Sequence, residues 1–224
     1  SNIFQGFRID YLDGIYLSTG PPTKESQKPI TEGFYKSNKK NGKWKHTVIS
    51  YHLHVRYSVY NDGTLVKEKK FINGKLISNF HWKDGRFHGC QYYANNGKER
   101  FEYYHNGELH GRIIEKKENS NVILLDCTYI NGKEDGKLIE RWWNKKVKLK
   151  NHWVNGIKHG CEVEFHETGK IFKRGMFKNG LPIGKHKLWW PNGKVCSITT
   201  YDETGNVISN IEFDQKGQKK LLIT

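Results

Sequence analysis

Alanine, methionine and long apolar runs are what this 224-residue chain has least of. There is one alanine, Ala94, and one methionine, Met176. No stretch longer than a few residues places apolar side chains at i, i+3, i+4 and i+7, so almost no helix is expected. No apolar run reaches the roughly 20 residues that a membrane-spanning helix needs. The opening SNIFQGFRID also lacks a basic segment followed by an apolar one. These absences point to a soluble, intracellular, cytoplasmic protein. Cysteine is scarce as well. Cys90, Cys127, Cys161 and Cys196 lie far apart without a CxxC pair, which argues against a disulfide scaffold or a zinc site. No GxSxG, HExxH or phosphate-binding glycine loop occurs, and no acidic cluster has metal spacing. Hence no catalytic residue, metal, cofactor or small-molecule substrate is expected.

What the chain does have is glycine and aromatics, 23 Gly with 13% Phe, Trp and Tyr, more than disorder would carry. They recur in a fixed order. In the stretch Gly160 to Gly184, GCEVEFHETGKIFKRGMFKNGLPIG, Cys161, Val163 and Phe165 alternate with Glu162, Glu164 and His166. That two-residue period predicts a strand whose apolar parity is buried. A turn at Glu167-Thr168-Gly169, a return strand to Phe177 and an Asn179-Gly180 turn complete one unit, since Asn-Gly tolerates the positive φ of a tight hairpin. The opening glycine recurs at Gly89, Gly111, Gly136, Gly160 and Gly184, at intervals of 22, 25, 24 and 24. An aromatic stands two residues before the second turn in Phe71, Tyr104, Tyr129, Trp153 and Phe177. A period near two dozen residues means a repeat architecture, in which each hairpin buries its apolar face against its neighbours. The fold class is therefore all-β, an elongated single-layer antiparallel array of stacked β-hairpins.

Boundaries follow from where the pattern is regular. Residues 1–54 read as degenerate N-terminal hairpins and a cap, with Tyr11-Leu12-Asp13-Gly14 and Asn41-Gly42-Lys43 as fragments of the theme and TGPPTKESQKP as a polar loop. Residues 55–207 carry the repeats, and 208–224 a final strand and cap. From Thr47 to Val59 unbroken alternation predicts one long strand, with His52 and His54 on a solvated face. The pairs His88-Gly89, His110-Gly111 and His159-Gly160 resemble a chemical motif, but Asp135 and Ile183 occupy the same position, which makes it structural. Glu162, Glu164 and Glu167 are expected on a solvated strand face, and Cys90 and Cys161 at equivalent half-buried sites.

Charge is uneven. Residues 135–224 hold 17 Lys and Arg against 9 Asp and Glu, so they carry +8 of the chain's formal +15. Repeats stack in register, so lysines about 24 residues apart fall into a stripe. The candidates are Lys146, Lys148, Lys150, Lys173, Arg174, Lys178, Lys185 and Lys187, beside Trp142, Trp143, Trp189 and Trp190 as stacking surfaces. The competing assignment makes the lysines solubilising and the tryptophans core. The excess of Lys over Arg favours diffuse attraction over base reading.

The recurring GK…Y..NGK…Y.NG..HG pattern resembles MORN repeats, and most closely the variant of bacterial toxin–antitoxin antitoxin components; it has fewer glycines than the eukaryotic form. The resemblance implies a non-enzymatic scaffold that binds another protein or itself as a homodimer. Two other functions stand beside it: a basic module for nucleic acid or an acidic membrane surface, and an antitoxin-like protein that masks a partner. The Lys, Asn and Ile content with almost no Ala matches AT-rich genomes, which points to certain bacteria or to a large DNA virus, with the host cell or virion as the location.

Overall fold

A computed structural model describes residues 6–11, 29–49 and 52–220. The described residues form strands and turns without helix, as the composition requires. The chain divides into two compact units, Ser1–Asn96 with Tyr103–Glu108, and Gly97–Glu102 with Leu109–Thr224. The first contains β1 (Gly6–Tyr11), β2 (Pro29–Lys36), β3 (Lys39–Ile49), β4 (Leu53–Asn61), β5 (Thr64–Ile72), β6 (Lys75–Lys83), β7 (Arg86–Phe87) and β8 (Gly89–Asn95). At the division lie β9 (Lys98–His105) and β10 (Glu108–Leu109). The second continues with β11 (Gly111–Lys117), β12 (Ile123–Ile130), β13 (Lys133–Glu134), β14 (Gly136–Arg141), β15 (Val147–Val154) and β16 (Ile157–Lys158). It ends with β17 (Gly160–Phe165), β18 (Ile171–Lys178), β19 (Leu181–Trp189), β20 (Val195–Tyr201) and β21 (Val207–Glu212). Within each unit the long strands pair antiparallel in sequence order, so each unit is a sheet of stacked hairpins.

Two kinds of turn occur, all of the two-residue kind from β4 to β9 and alternating from β12 to β20. One is the two-residue Asn-Gly type, as at Asn179-Gly180, where both residues have positive φ (52° and 83°), the backbone that a twisted hairpin requires. The other has three residues and a bulge: Gly169 N–H donates to the His166 carbonyl and His166 N–H to that of Lys170, with the register slipping between Glu164 and Phe165. Consecutive hairpins are tied at both kinds of turn. At the Asn-Gly side, Gly156 N–H donates to the Glu134 carbonyl and Gly180 N–H to that of Lys158. At the other side the indole N–H of Trp142 donates to the Phe165 carbonyl, Asn144 Nδ2 to Glu167 and Lys146 Nζ to Thr168. Trp190, Asn192 and Lys194 repeat this set on Phe213, Gln215 and Lys216, 48 residues on.

The repeat glycine works as a hinge in the strand. Gly89, Gly111, Gly136 and Gly160 all have positive φ and separate a two-residue strand from the long one that follows. Two residues after each glycine comes a buried position, filled by Gln91, Ile113, Leu138 and Glu162. Ile113 and Leu138 join Cys127 in a core packed by Leu109, Leu125, Tyr129, Leu149 and Trp153. Gln91 instead uses its amide to close the ladder that the glycine opens: Oε1 accepts from His81 N–H at 2.7 Å and Nε2 donates to the His81 carbonyl at 2.9 Å. Where an aromatic ring lies across the sheet, the facing residue is glycine. A Cβ on Gly33 would stand 2.1 Å from the Trp44 ring, and one on Gly175 2.2 Å from that of His186.

Several sequence expectations are corrected. The segment Thr47 to Val59 is two strands, because β3 ends at Ile49 and pairs back on β4 from Leu53; alternation continued through the reversal and hid it. Asn41-Gly42 lies within β3, while the turn is Ser37-Asn38, both with positive φ. It stands four residues past that turn, the place that His88-Gly89 takes after Asp84-Gly85. Gly184 does not interrupt β19. The parity of β17 is also reversed in burial: Glu162 is only 2% exposed, whereas Cys161, Val163 and Phe165 are half-buried. Residues Leu12 to Gly14 and the loop at 19–28 lie outside the described residues.

Candidate functional site

The sequence offers eight basic residues and four tryptophans as one stripe; the strand register separates them. Lys146 spends its ammonium on the Thr168 carbonyl at 2.6 Å. Lys148 pairs with Glu140 at 2.9 Å and stands 5.4 Å over the Trp142 ring. Lys178 pairs with Glu203 at 3.3 Å. Lys173 reaches Glu162 at 3.3 Å and Glu164 at 3.2 Å. These four belong to the hairpin ties and to the buried row.

Glu162 shows what that row costs and how it is met. Burial works against its charge, but the hydrogen bond and charge of Lys158, with Asn151 and Lys173, hold its carboxyl below the ordinary range. Lys173 responds in kind: burial lowers its pKa, and the charges and hydrogen bonds of Glu162 and Glu164 together outweigh that and raise it. Asn151, buried opposite Leu138, donates to Glu162 and accepts from the Trp153 indole at 2.9 Å. A buried carboxylate with two ammonium partners is an internal ion pair, leaving no free acid for chemistry.

The other four basic residues come together. Lys150 lies opposite Val163, Val163 opposite Arg174, Arg174 opposite Lys187 and Lys187 opposite Ile198, in successive strands β15, β17, β18, β19 and β20. Directly opposed residues share a face, and this face is the reverse of the one that buries Asn151, Glu162 and Gly175. Lys185 joins the row two residues before Lys187. Lys150, Arg174 and Lys185 are exposed and Lys187 half-buried. No ion pair links any of the four to a described carboxylate. The reason lies in the parity of the acids. From 136 to 212, Glu140, Glu162, Glu164 and Glu212 alternate onto the buried-row face, and Glu167, Asp202 and Glu203 sit in turns.

Apolar groups interrupt the cations. Met176 and Phe172, on the parity of Arg174, are 43% and 39% exposed. Arg174, Met176, Lys185, Lys187 and Trp189 wall a groove of about 230 Å³, with Gly175 at its side. Of the tryptophans, then, Trp189 lies on the basic face. Trp142 and Trp190 are hairpin ties. Trp143, 48% exposed, has Lys98 and Lys117 at 6.0 and 5.6 Å from its ring. Lys137 shares the parity of Ile139, the register partner of Lys150, and the charge pattern alone did not single it out. Counting parity from Gly136 would have found it.

Among the described residues no group of three or more His, Cys, Asp or Glu could hold a metal ion, and no helix is long and apolar enough to cross a membrane. Residues 158–179 and 182–203 each match the family model for the MORN repeat variant. These segments run from β16 to β18 and from β19 past β20, the strands that present Arg174, Lys185 and Lys187. The match supports a MORN-repeat protein, a repeat that in general serves as an interaction or scaffold module rather than a catalyst. No curated protein matches the chain.

Proposed function

We propose that this MORN-repeat chain is a non-enzymatic interaction module whose contact surface is the basic sheet face of β15–β20. The observation that carries the proposal is the row Lys150, Val163, Arg174, Lys187 and Ile198, in which three cations form no ion pair with a described carboxylate, while Asp126, two strands beyond Lys150 on the same face, is held by Arg112. A sheet that needed charge only for solubility gains most from mixed signs, as on the buried-row face, where each lysine has an acid. An unneutralised row instead attracts an anionic macromolecule and speeds its encounter.

The test is titration of the intact chain with labelled poly-glutamate, single-stranded DNA and anionic vesicles over a salt series. It is run beside a variant carrying Lys150→Glu, Arg174→Glu and Lys187→Glu. A control variant reverses Lys83, Lys133 and Lys216, which are exposed at turns. Binding that weakens with salt and is lost only in the first variant supports the surface. Equal losses in both variants, or no binding at low salt, refute it.

A further inference from the structure

We infer that the basic face of β15–β20 docks an acidic amphipathic helix of a partner protein, laid across the strands. This inference rests on the interaction reading above and adds the partner's chemistry. Along the row the order is cation, apolar, cation, cation, apolar: Lys150, Val163, Arg174, Lys187, Ile198. Neighbouring strands lie about 4.8 Å apart, which sets these residues at roughly 0, 5, 10, 14 and 19 Å along the line.

A helix rises about 1.5 Å per residue, so its residues i, i+3, i+7, i+10 and i+14 fall at roughly 0, 4.5, 10.5, 15 and 21 Å on one face. Carboxylates at i, i+7 and i+10 with apolar side chains at i+3 and i+14 therefore meet the row in order. An extended segment places same-face side chains about 6.7 Å apart, at roughly 0, 7, 13 and 20 Å, so it offers four positions to five row members and leaves Arg174, at roughly 10 Å, unmet.

The apolar members decide between protein and nucleic acid. Met176 and Phe172 are exposed beside Arg174, and the groove bounded by Met176, Trp189 and Arg174 is open to an apolar side chain. Met, Trp and Arg are the residue types enriched where proteins meet. A phosphate backbone would satisfy the cations and leave the groove unfilled. Base stacking along a strand would need a series of rings, yet the indoles of Trp142 and Trp190 are tied to the Phe165 and Phe213 carbonyls at 3.2 Å, which leaves Trp189 as the one proposed stacking ring on this face.

The experiment uses a labelled peptide of about 18 residues, built on alanine with Glu at i, i+7 and i+10 and Leu at i+3 and i+14. A scrambled peptide of the same composition and single-stranded DNA are its comparisons, all by anisotropy on the intact chain. The patterned peptide should bind at least about tenfold tighter than the scrambled one, gain helical circular dichroism on binding, and lose its advantage with Lys150→Glu, Arg174→Glu and Lys187→Glu. Equal binding of both peptides overturns helix docking while leaving the polyanion surface intact. Tighter binding of DNA than of the patterned peptide overturns the protein partner. Loss of all polyanion binding would instead strike the interaction reading itself, through the salt titration described above.

Discussion

Glu162→Ala is the substitution that best tests how a polar residue occupies the core row. The carboxylate is 2% exposed and held by Lys158, Lys173 and Asn151, while both lysine side chains are 32% exposed. Removing one partner of a fully buried pair costs about 3–5 kcal/mol. Partial solvation of the two ammonium groups lets water replace part of what is lost, so about 2–3 kcal/mol is expected at neutral pH. Glu162→Gln keeps the shape and one hydrogen bond and should cost about 1–2 kcal/mol. The sign with pH follows from the lowered carboxyl: the folded state binds fewer protons, so the contribution is complete above the ordinary carboxylate range. It disappears as pH falls through the lower folded value. Urea unfolding of the three proteins at pH 7 and at stepwise lower pH measures this. The cost of Glu162→Gln should shrink on acidification. A cost below about 0.5 kcal/mol at pH 7, or one that does not change with pH, would refute the ion-pair account. Ile113 and Leu138 supply an internal comparison, because they fill the same place in neighbouring repeats without charge. Replacing Glu162 by Leu together with Lys158 and Lys173 by Met should accordingly recover most of the loss.

Two further tests address the core. Gly175→Ala places a Cβ where the His186 ring lies, and that ring is fixed by Met176 O at 2.8 Å and by Phe177 and Tyr201 on either side. The substitution should cost about 1–3 kcal/mol in thermal unfolding, and His186→Ala in the same chain should relieve it; a cost that persists in the double variant would show that the ring is not the obstacle. Burial pushes the Cys127 thiol up to about 11, while Cys90, Cys161 and Cys196 are half-buried. A thiolate-seeking reagent at pH 8 should therefore label Cys127 last and at the rate of unfolding, and early labelling of Cys127 would contradict the packing around Ile113 and Leu138.

The period, the hairpins of the regular repeats and both kinds of turn there were legible in the sequence, because they rest on local chemistry; the β3–β4 hairpin, which has no such turn residues, was not. Asn-Gly and a glycine after His, Asp or Asn accept positive φ that other residues resist, and a strand between two such points has little choice. The aromatic before each Asn-Gly marks the packing side of its strand, as Tyr129 and Trp153 do against Ile113 and Leu138. Alternation, by contrast, says which residues share a face and not which face is buried. Cys161, Val163 and Phe165 looked inward on hydrophobicity, yet the glycine-set buried position falls on Glu162. Nor could composition divide the eight cations. Whether a lysine meets an acid depends on the strand 10 to 25 residues away that the register sets beside it. Lys173 found Glu162 that way, and Arg174, one residue on and facing the other side, found Val163 and Lys187. Local chemistry was enough to set the repeat, its turns and the sign of its charge. Which charges are spent inside and which stay unpaired at the surface was settled only in the folded sheet, because pairing across strands is long-range and a shift of one residue turns every side chain to the other face.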